Sequence, residues 1–234
     1  FEDKELYVNN AIPLFEYLKT LPYGKIMWEY RPEYDGFGTP RFLENLPILT
    51  GKPTFEGLLI ESSVFGPFHF INQTETTQSP TSAIAGFEYP PFDFKKGVEH
   101  LKLSNARYFV AYTDNIKNLA KENMRWLKDI GVFSVYEVPA NNLVDVYDNF
   151  EIIKKEKQWI KNSINWYKNG DLNKLLVFYN SNKQKNLLEN ISKDKSKNII
   201  EITKLSETQI SFKTNDLNKL HLIKVSYFPT WKVK

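Results

Sequence analysis

Apolar positions along this chain change their period several times, and each change marks an element. Over residues 4–21, Leu6, Ile12, Leu14, Phe15, Leu18 and Leu21 recur at helical spacing, with Pro13 in an early turn and Pro22 and Gly24 as the stop. Residues 25–30 (KIMWEY) predict a strand entering the core. Residues 37–40 predict a loop that opens a short helix, with Thr39 as N-cap and Pro40 at the first helical position. A second strand is expected over 54–60 (TFEGLLI). From 62 to 93 regular periodicity fades into a passage rich in Gly, Pro and rings, which predicts a long aromatic loop. Phe65, Phe68, Phe70, Phe87, Tyr89 and Phe92 argue against disorder there, and loops of this length in a compact domain usually carry function.

Helix is expected at 94–104, strand at 107–112, helix at 115–129 and strand at 131–138. After Pro139 the pattern shifts. Residues 144–153 fit either type, 155–168 predict a Trp-containing helix and 174–179 a strand. A polar, lysine-rich stretch follows over 180–197. Three strand candidates, at 198–205, 209–214 and 220–228, close the chain. The expected fold class is therefore α+β (mixed α/β): an N-terminal α/β layer followed by a smaller, strand-rich, sandwich-like part. The boundary falls near 140. Residues 1–140 would form a mixed domain carrying the loop 62–93, and residues 141–234 a second part truncated at its C-terminus.

Charge and composition narrow the chemistry. The 31 basic residues nearly balance 28 acidic ones without a block of like charge, so no nucleic-acid partner is expected. The chain has no cysteine, which excludes disulfides, thiolate metal sites and a cysteine nucleophile. His69, His100 and His221 never form a metal-binding pair in sequence, and neither phosphate-loop glycines nor a nucleophile elbow occur. No metal and no cofactor are expected. No apolar run approaches the roughly 20 residues of a membrane helix.

Four segments are more distinctive: WEYRPEYDGFGTPR over 28–41, GKPTFEG over 51–57 with ESS over 61–63, YPPFD over 89–93 and KVSYFPTW over 224–231. In this order they resemble the soluble region of the prokaryotic multi-pass membrane proteins labelled 6-pyruvoyl-tetrahydropterin synthase-related. The clustered histidine ligands of the true synthase are absent, so no pterin chemistry is implied. The likeness covers most of 20–140 and about 205–231. It implies a polytopic protein similar in architecture to C-type glycosyltransferases, which take sugars from lipid-phosphate carriers outside the cytoplasm, with the catalytic acids outside this chain. A start at Phe1 without methionine and a stop just after a strand-like run fit an excised domain. The expected address is the cell membrane, with this domain on the non-cytoplasmic side. Its expected partners are its own transmembrane helices and a glycan or lipid-linked sugar. The alternative is a structural or interaction module that braces a membrane or envelope assembly without ligand chemistry.

Candidate ligand-binding residues follow from chemistry. Trp28, Glu29, Arg31, Glu33, Tyr34 and Arg41 combine rings that stack on a pyranose with carboxylates for its hydroxyls and guanidinium groups that grip phosphate bidentately. The same string also fits a half-buried strand with Trp28 and Tyr30 inward and Glu29 and Arg31 solvated. Glu56 and Glu61 with Ser62, Ser63, His69, Asn72 and Gln73 form a second group, in which Glu61, at a strand end opening onto the aromatic passage, is the better single candidate. Glu56 and Glu61, five apart on a strand, would face opposite sides and could not act as a pair. Tyr227, Phe228 and Trp231 form a third group that would seal a sheet edge. Asn72–Thr74 and Asn190–Ser192 match the glycan-acceptor pattern.

Overall fold

The computed structural model describes residues 4–56, 60, 63–140, 142–194, 199–206, 208–226 and 230–233. The chain is α+β and divides into two compact units, Phe1–Asn141 and Asn142–Lys234.

In the first unit a four-stranded sheet has the order β1-β2-β4-β3, with β1 Lys25–Trp28, β2 Ala106–Ala111, β3 Arg125–Ile130 and β4 Phe133–Glu137. β1 runs parallel to β2, and the other two pairings are antiparallel. Successive side chains on β1 and β2 enter opposite cores. Ile26, Trp28, Tyr108 and Val110 pack with Leu14, Phe15 and Leu18, whereas Met27, Phe109 and Ala111 pack with Phe94, Leu101, Ile116 and Ala120. A strand covered on both faces reads as a continuous apolar run because it has no solvated face.

The first face is covered by the segment α1 Lys4–Leu6, a π-helical turn Tyr7–Ala11 and α2 Ile12–Thr20. At the π turn, Asn10 donates to the Leu6 carbonyl and accepts from Val132 N at 2.9 Å, which ties the helix to the β3–β4 hairpin. Gly131 in that hairpin has φ +53°, and a Cβ there would meet Asn10 Oδ1 at 2.0 Å, so glycine is required twice over. The second face is covered by α5 Phe94–Leu103 and α6 Asp114–Asn123. Each begins at a side-chain cap: Asp93 accepts from Lys96 N, and Thr113 accepts from Ile116 N.

Several expectations are corrected. The helix expected over 115–129 stops at Asn123, and residues 125–130 form β3, an edge strand whose polar outer residues imitate a helix surface. Thr39 and Pro40 start no helix. The chain instead makes 3-10 turns at Pro32–Phe37 and Phe42–Asn45 and then the short α3 Leu46–Thr50. The strand expected at 54–60 is reduced to a single parallel bridge, Ile26 to Thr54; residues 57–59 lie outside the described residues. The passage 62–93 is no continuous loop, because it contains α4 Gly66–Thr76.

Lys25 links β1 to its surroundings. Its ammonium donates to the Ser104 carbonyl at 2.9 Å and lies 4.5 Å from the Phe55 ring centre, and burial lowers its pKa from 10.5 to about 8. A depressed lysine contributes stability above its unfolded pKa and loses it as pH falls through the folded value. The fold is therefore expected to gain on the order of 1 kcal/mol between pH 8 and pH 10 from this group. Denaturant titrations of wild type and Lys25→Met at both pH values should show the difference shrinking; an unchanged difference would place Lys25 in water.

The second unit holds three two-stranded ladders: β5 Val144–Tyr147 antiparallel to β10 Leu220–Ile223, β6 Phe150–Lys154 parallel to β7 Leu175–Tyr179, and β8 Ile200–Leu205 antiparallel to β9 Ile210–Thr214. Residues 144–153 are thus two strands. α7 Trp159–Asn169 links β6 to β7, and α8 Asn182–Glu189 lies in the lysine-rich stretch, capped by Ser181. The buried Lys224 ammonium meets Asp145 at 2.5 Å, tying the chain beyond β10 to β5.

Candidate functional site

The sequence GPFHFINQTET of α4 is polar enough for a surface helix, yet His69 to Thr76 are buried without exception. Pro67 sits in its first turn, where a missing N–H costs nothing. Close packing on α5 is possible because Gly97 faces it, where a Cβ would lie 2.6 Å from Thr76 Cγ2.

Most of the polar groups on α4 find internal partners. Thr74 and Thr76 donate to the carbonyls of Phe70 and Asn72, and Thr77 donates to the Tyr30 carbonyl at 2.8 Å, pinning the helix end to the strand exit. Gln73 Oε1 accepts from both Thr81 N and Thr81 Oγ1 at 2.9 Å. His100 Nδ1 and Glu75 Oε2 form a wholly buried pair between α5 and α4.

Four buried atoms lack a hydrogen-bond partner among the described residues: His69 Nδ1, His69 Nε2, Gln73 Nε2 and Glu75 Oε1. Such groups cost about 1–3 kcal/mol each when left unpaired, a cost that a buried water or a ligand group would relieve. His69 Nε2 lies 3.6 Å from Glu56 Oε2, beyond hydrogen-bond length, and its ring packs edge-on against Phe70 at 4.8 Å. A carboxylate on that side favours the tautomer with the proton on Nε2, which leaves Nδ1 as an acceptor. The Gln73 amide is oriented without ambiguity. A backbone N–H donates to its oxygen, so the unpartnered atom is the NH₂ donor.

The residues expected from sequence fall into three groups. Trp28, Glu29 and Tyr34 are interior. Trp28 lies in the core, and Glu29 is fully buried, accepting from Tyr112 N at 2.8 Å, Thr113 N at 2.9 Å and Thr113 Oγ1 at 2.7 Å. Tyr34 is fully buried and donates to the Glu29 carbonyl. None of the three offers a face to a ligand, which corrects the expectation that they bind sugar. Burial pushes the Glu29 carboxyl up from its ordinary value, against the hydrogen bonds from Thr113 and Tyr112 and the attraction of Arg31.

Arg31 and Arg41 are nearer the surface but are already engaged. Arg31 grips Glu33 through Nε and Nη2 and donates to Ser79 through Nη1; Arg41 grips Glu44 through Nε and Nη2. The Arg31 guanidinium holds the Glu33 carboxyl below its usual range. Two forks each closed on their own carboxylate do not make the phosphate clamp that their spacing suggested.

His69 and Asn72 lie together on α4, with Glu56 beside His69. Asn72 is 1% exposed, so the acceptor pattern at 72–74 is closed to glycosylation in the folded chain. Glu61, Ser62, Tyr227 and Phe228 lie outside the described residues, and Trp231 is exposed. Gln73 stands in the second group expected from sequence, His100 was weighed only as a metal ligand, and Glu75 and Thr81 were not singled out. The spacing of four places Gln73 on the same helix face as His69. Among the described residues no three His, Asp or Glu side chains gather as a metal site, and no helix is long and apolar enough to cross a membrane. Comparison with protein-family models, with curated proteins and with solved structures finds no match for this chain.

Proposed function

We propose that this chain is the extracytoplasmic domain of a polytopic membrane protein and that it holds a glycan or lipid-linked sugar beside a membrane-embedded active site. The observation that carries the binding reading is the face of α4. A helix buries an imidazole and an amide donor without partners, next to the Glu56 carboxylate. That set suits a ligand rich in hydroxyls, which would reach these enclosed atoms only as the packing around α4 opens. The membrane address is supported by the motif series over 28–41, 51–63, 89–93 and 224–231. Two measurements test the proposal. An antibody to this chain, used on carbonate-washed membranes of its own cells, is expected to detect a retained band much larger than the chain itself; a soluble band of the chain's own size would remove the address. Calorimetric titration with a panel of glycans is expected to give saturable heat, and silence across the panel would remove the ligand.

One observation favours the alternative of a bracing module: Val64, Phe65 and Phe92, flanking α4 and α5, expose apolar surface. Under that role, Phe65→Ser with Phe92→Ser would destabilise the assembled membrane protein and leave glycan heat unchanged.

A further inference from the structure

We infer that residues 154–161 of the second unit form a patch that docks on an anionic lipid surface, with lysines against the headgroups and Ile160 and Trp159 at the apolar boundary. The inference goes beyond the ligand proposed for α4 and does not depend on it.

The near balance of charge along the chain hides two unlike units. Phe1–Asn141 carries 14 basic and 18 acidic residues, a net charge of −4, whereas Asn142–Lys234 carries 17 lysines and 10 acidic residues, a net charge of +7. A general bias toward lysine would raise both units alike. Separation of this kind fits a partner of negative charge on the second unit. Several of its lysines are already closed on carboxylates: Lys174 on Glu151, Lys185 on Glu189, Lys213 on Glu201 and Lys224 on Asp145. The stretch KKEKQWIK, from the end of β6 into α7, differs. Lys154, Lys155, Lys157 and Lys161 are all exposed, and among the described residues none of the four is paired with a carboxylate.

The fold holds this stretch in place. Lys155 N donates to the Tyr179 carbonyl at 2.8 Å, and the half-buried Trp159 ring packs edge-on against Phe178 at 6.0 Å, which seats the turn on β6 and β7. Lys155 Nζ stands 4.2 Å from the centre of the Trp159 ring. Lys157, Ile160 and Lys161 keep the three- and four-residue spacing of helical neighbours, and Ile160 is exposed among them. Ammonium groups on long apolar stems, beside an isoleucine and a tryptophan, suit a bilayer boundary. The charges reach lipid phosphates while stems and ring lie where water thins. A nucleic acid fits less well, because the second unit has no arginine to grip phosphates or base edges bidentately.

Flotation of the whole chain with vesicles tests the inference. Phosphatidylcholine vesicles containing about a third phosphatidylglycerol are expected to carry the chain upward at low salt and to release it as salt rises, whereas pure phosphatidylcholine should leave it below. Lys154→Gln with Lys157→Gln and Lys161→Gln is expected to weaken binding on the order of 100-fold, about fivefold per lysine. The same loss of charge elsewhere in the unit, Lys183→Gln with Lys213→Gln and Lys232→Gln, should cost less than about fivefold in all. Ile160→Ser should weaken binding about threefold without changing its salt dependence. Should the first triple variant melt early, the two vesicle types with wild type and Ile160→Ser decide. Equal losses from the two triple variants would overturn the patch in favour of diffuse charge, and tighter binding of a DNA duplex than of anionic vesicles would overturn the lipid. A chain that floats with neither vesicle overturns the inference outright, while glycan heat still decides the role of α4 separately.

Discussion

Glu29→Ala is expected to cost about 3–5 kcal/mol, enough to leave much of the first unit unfolded at ordinary temperature. The carboxylate joins the end of β1 to the start of α6. Removing it orphans the amides of Tyr112 and Thr113, frees the Thr113 hydroxyl that caps the helix, and opens a buried gap. Glu29→Gln retains one oxygen for the two amides, and the Thr113 hydroxyl can accept from the new NH₂; its expected cost is below about 1.5 kcal/mol. The pH dependence has a definite sign. Burial raises the folded pKa above the ordinary 4.5, so the contribution of this group is fully present below about that pH and declines as pH rises through the folded value. Denaturant midpoints of wild type and Glu29→Gln across acid to neutral pH check it. A carboxylate at this position whose stabilisation instead vanished on acidification would contradict the assignment of burial as the leading cause.

His69→Phe is expected to do the opposite, leaving the ligand-free chain at least as stable as wild type and up to about 1–2 kcal/mol more so. A buried imidazole with neither nitrogen hydrogen-bonded carries a desolvation cost, and a phenyl ring keeps the edge contact with Phe70 while removing that cost, at the loss of the 3.6 Å contact with Glu56. A gain of that size raises the melting temperature by several degrees in a unit of this length. Stability gained where binding is lost is the mark of a residue kept for its ligand. If His69→Phe melts well below wild type, His69 is a structural residue and α4 is an ordinary, if polar, core helix.

The contrast between these two residues shows what the sequence made legible. β1, β2 and β4 were found because their apolar runs are long and bounded by turn residues, and α5 because its apolar face keeps helical period up to Leu103. The strand-rich character of the second part was visible in its closing runs. What sequence could not give was the inside or outside of polar residues. Glu29 and Tyr34, read as a sugar-binding surface, lie in the core, because a strand covered by helices on both sides buries even its acidic neighbour once that neighbour has three donors. The reverse error hid α4: a run such as NQTETT carries no apolar stripe, so the pattern offered no face to bury, and only the three-dimensional packing on Gly97 shows that it is enclosed. β3 was taken for the continuation of α6 because an edge strand with a single neighbour displays charged residues as freely as a helix does.

The most direct measurement is a paired calorimetric titration of wild type and His69→Phe with neutral methyl glycosides, accompanied by melting curves of both chains. The proposed site predicts saturable heat for the wild type, none for the variant, and a variant that melts no lower. No heat from either chain, or equal heat from both, would show that the buried polar face of α4 does not receive the ligand.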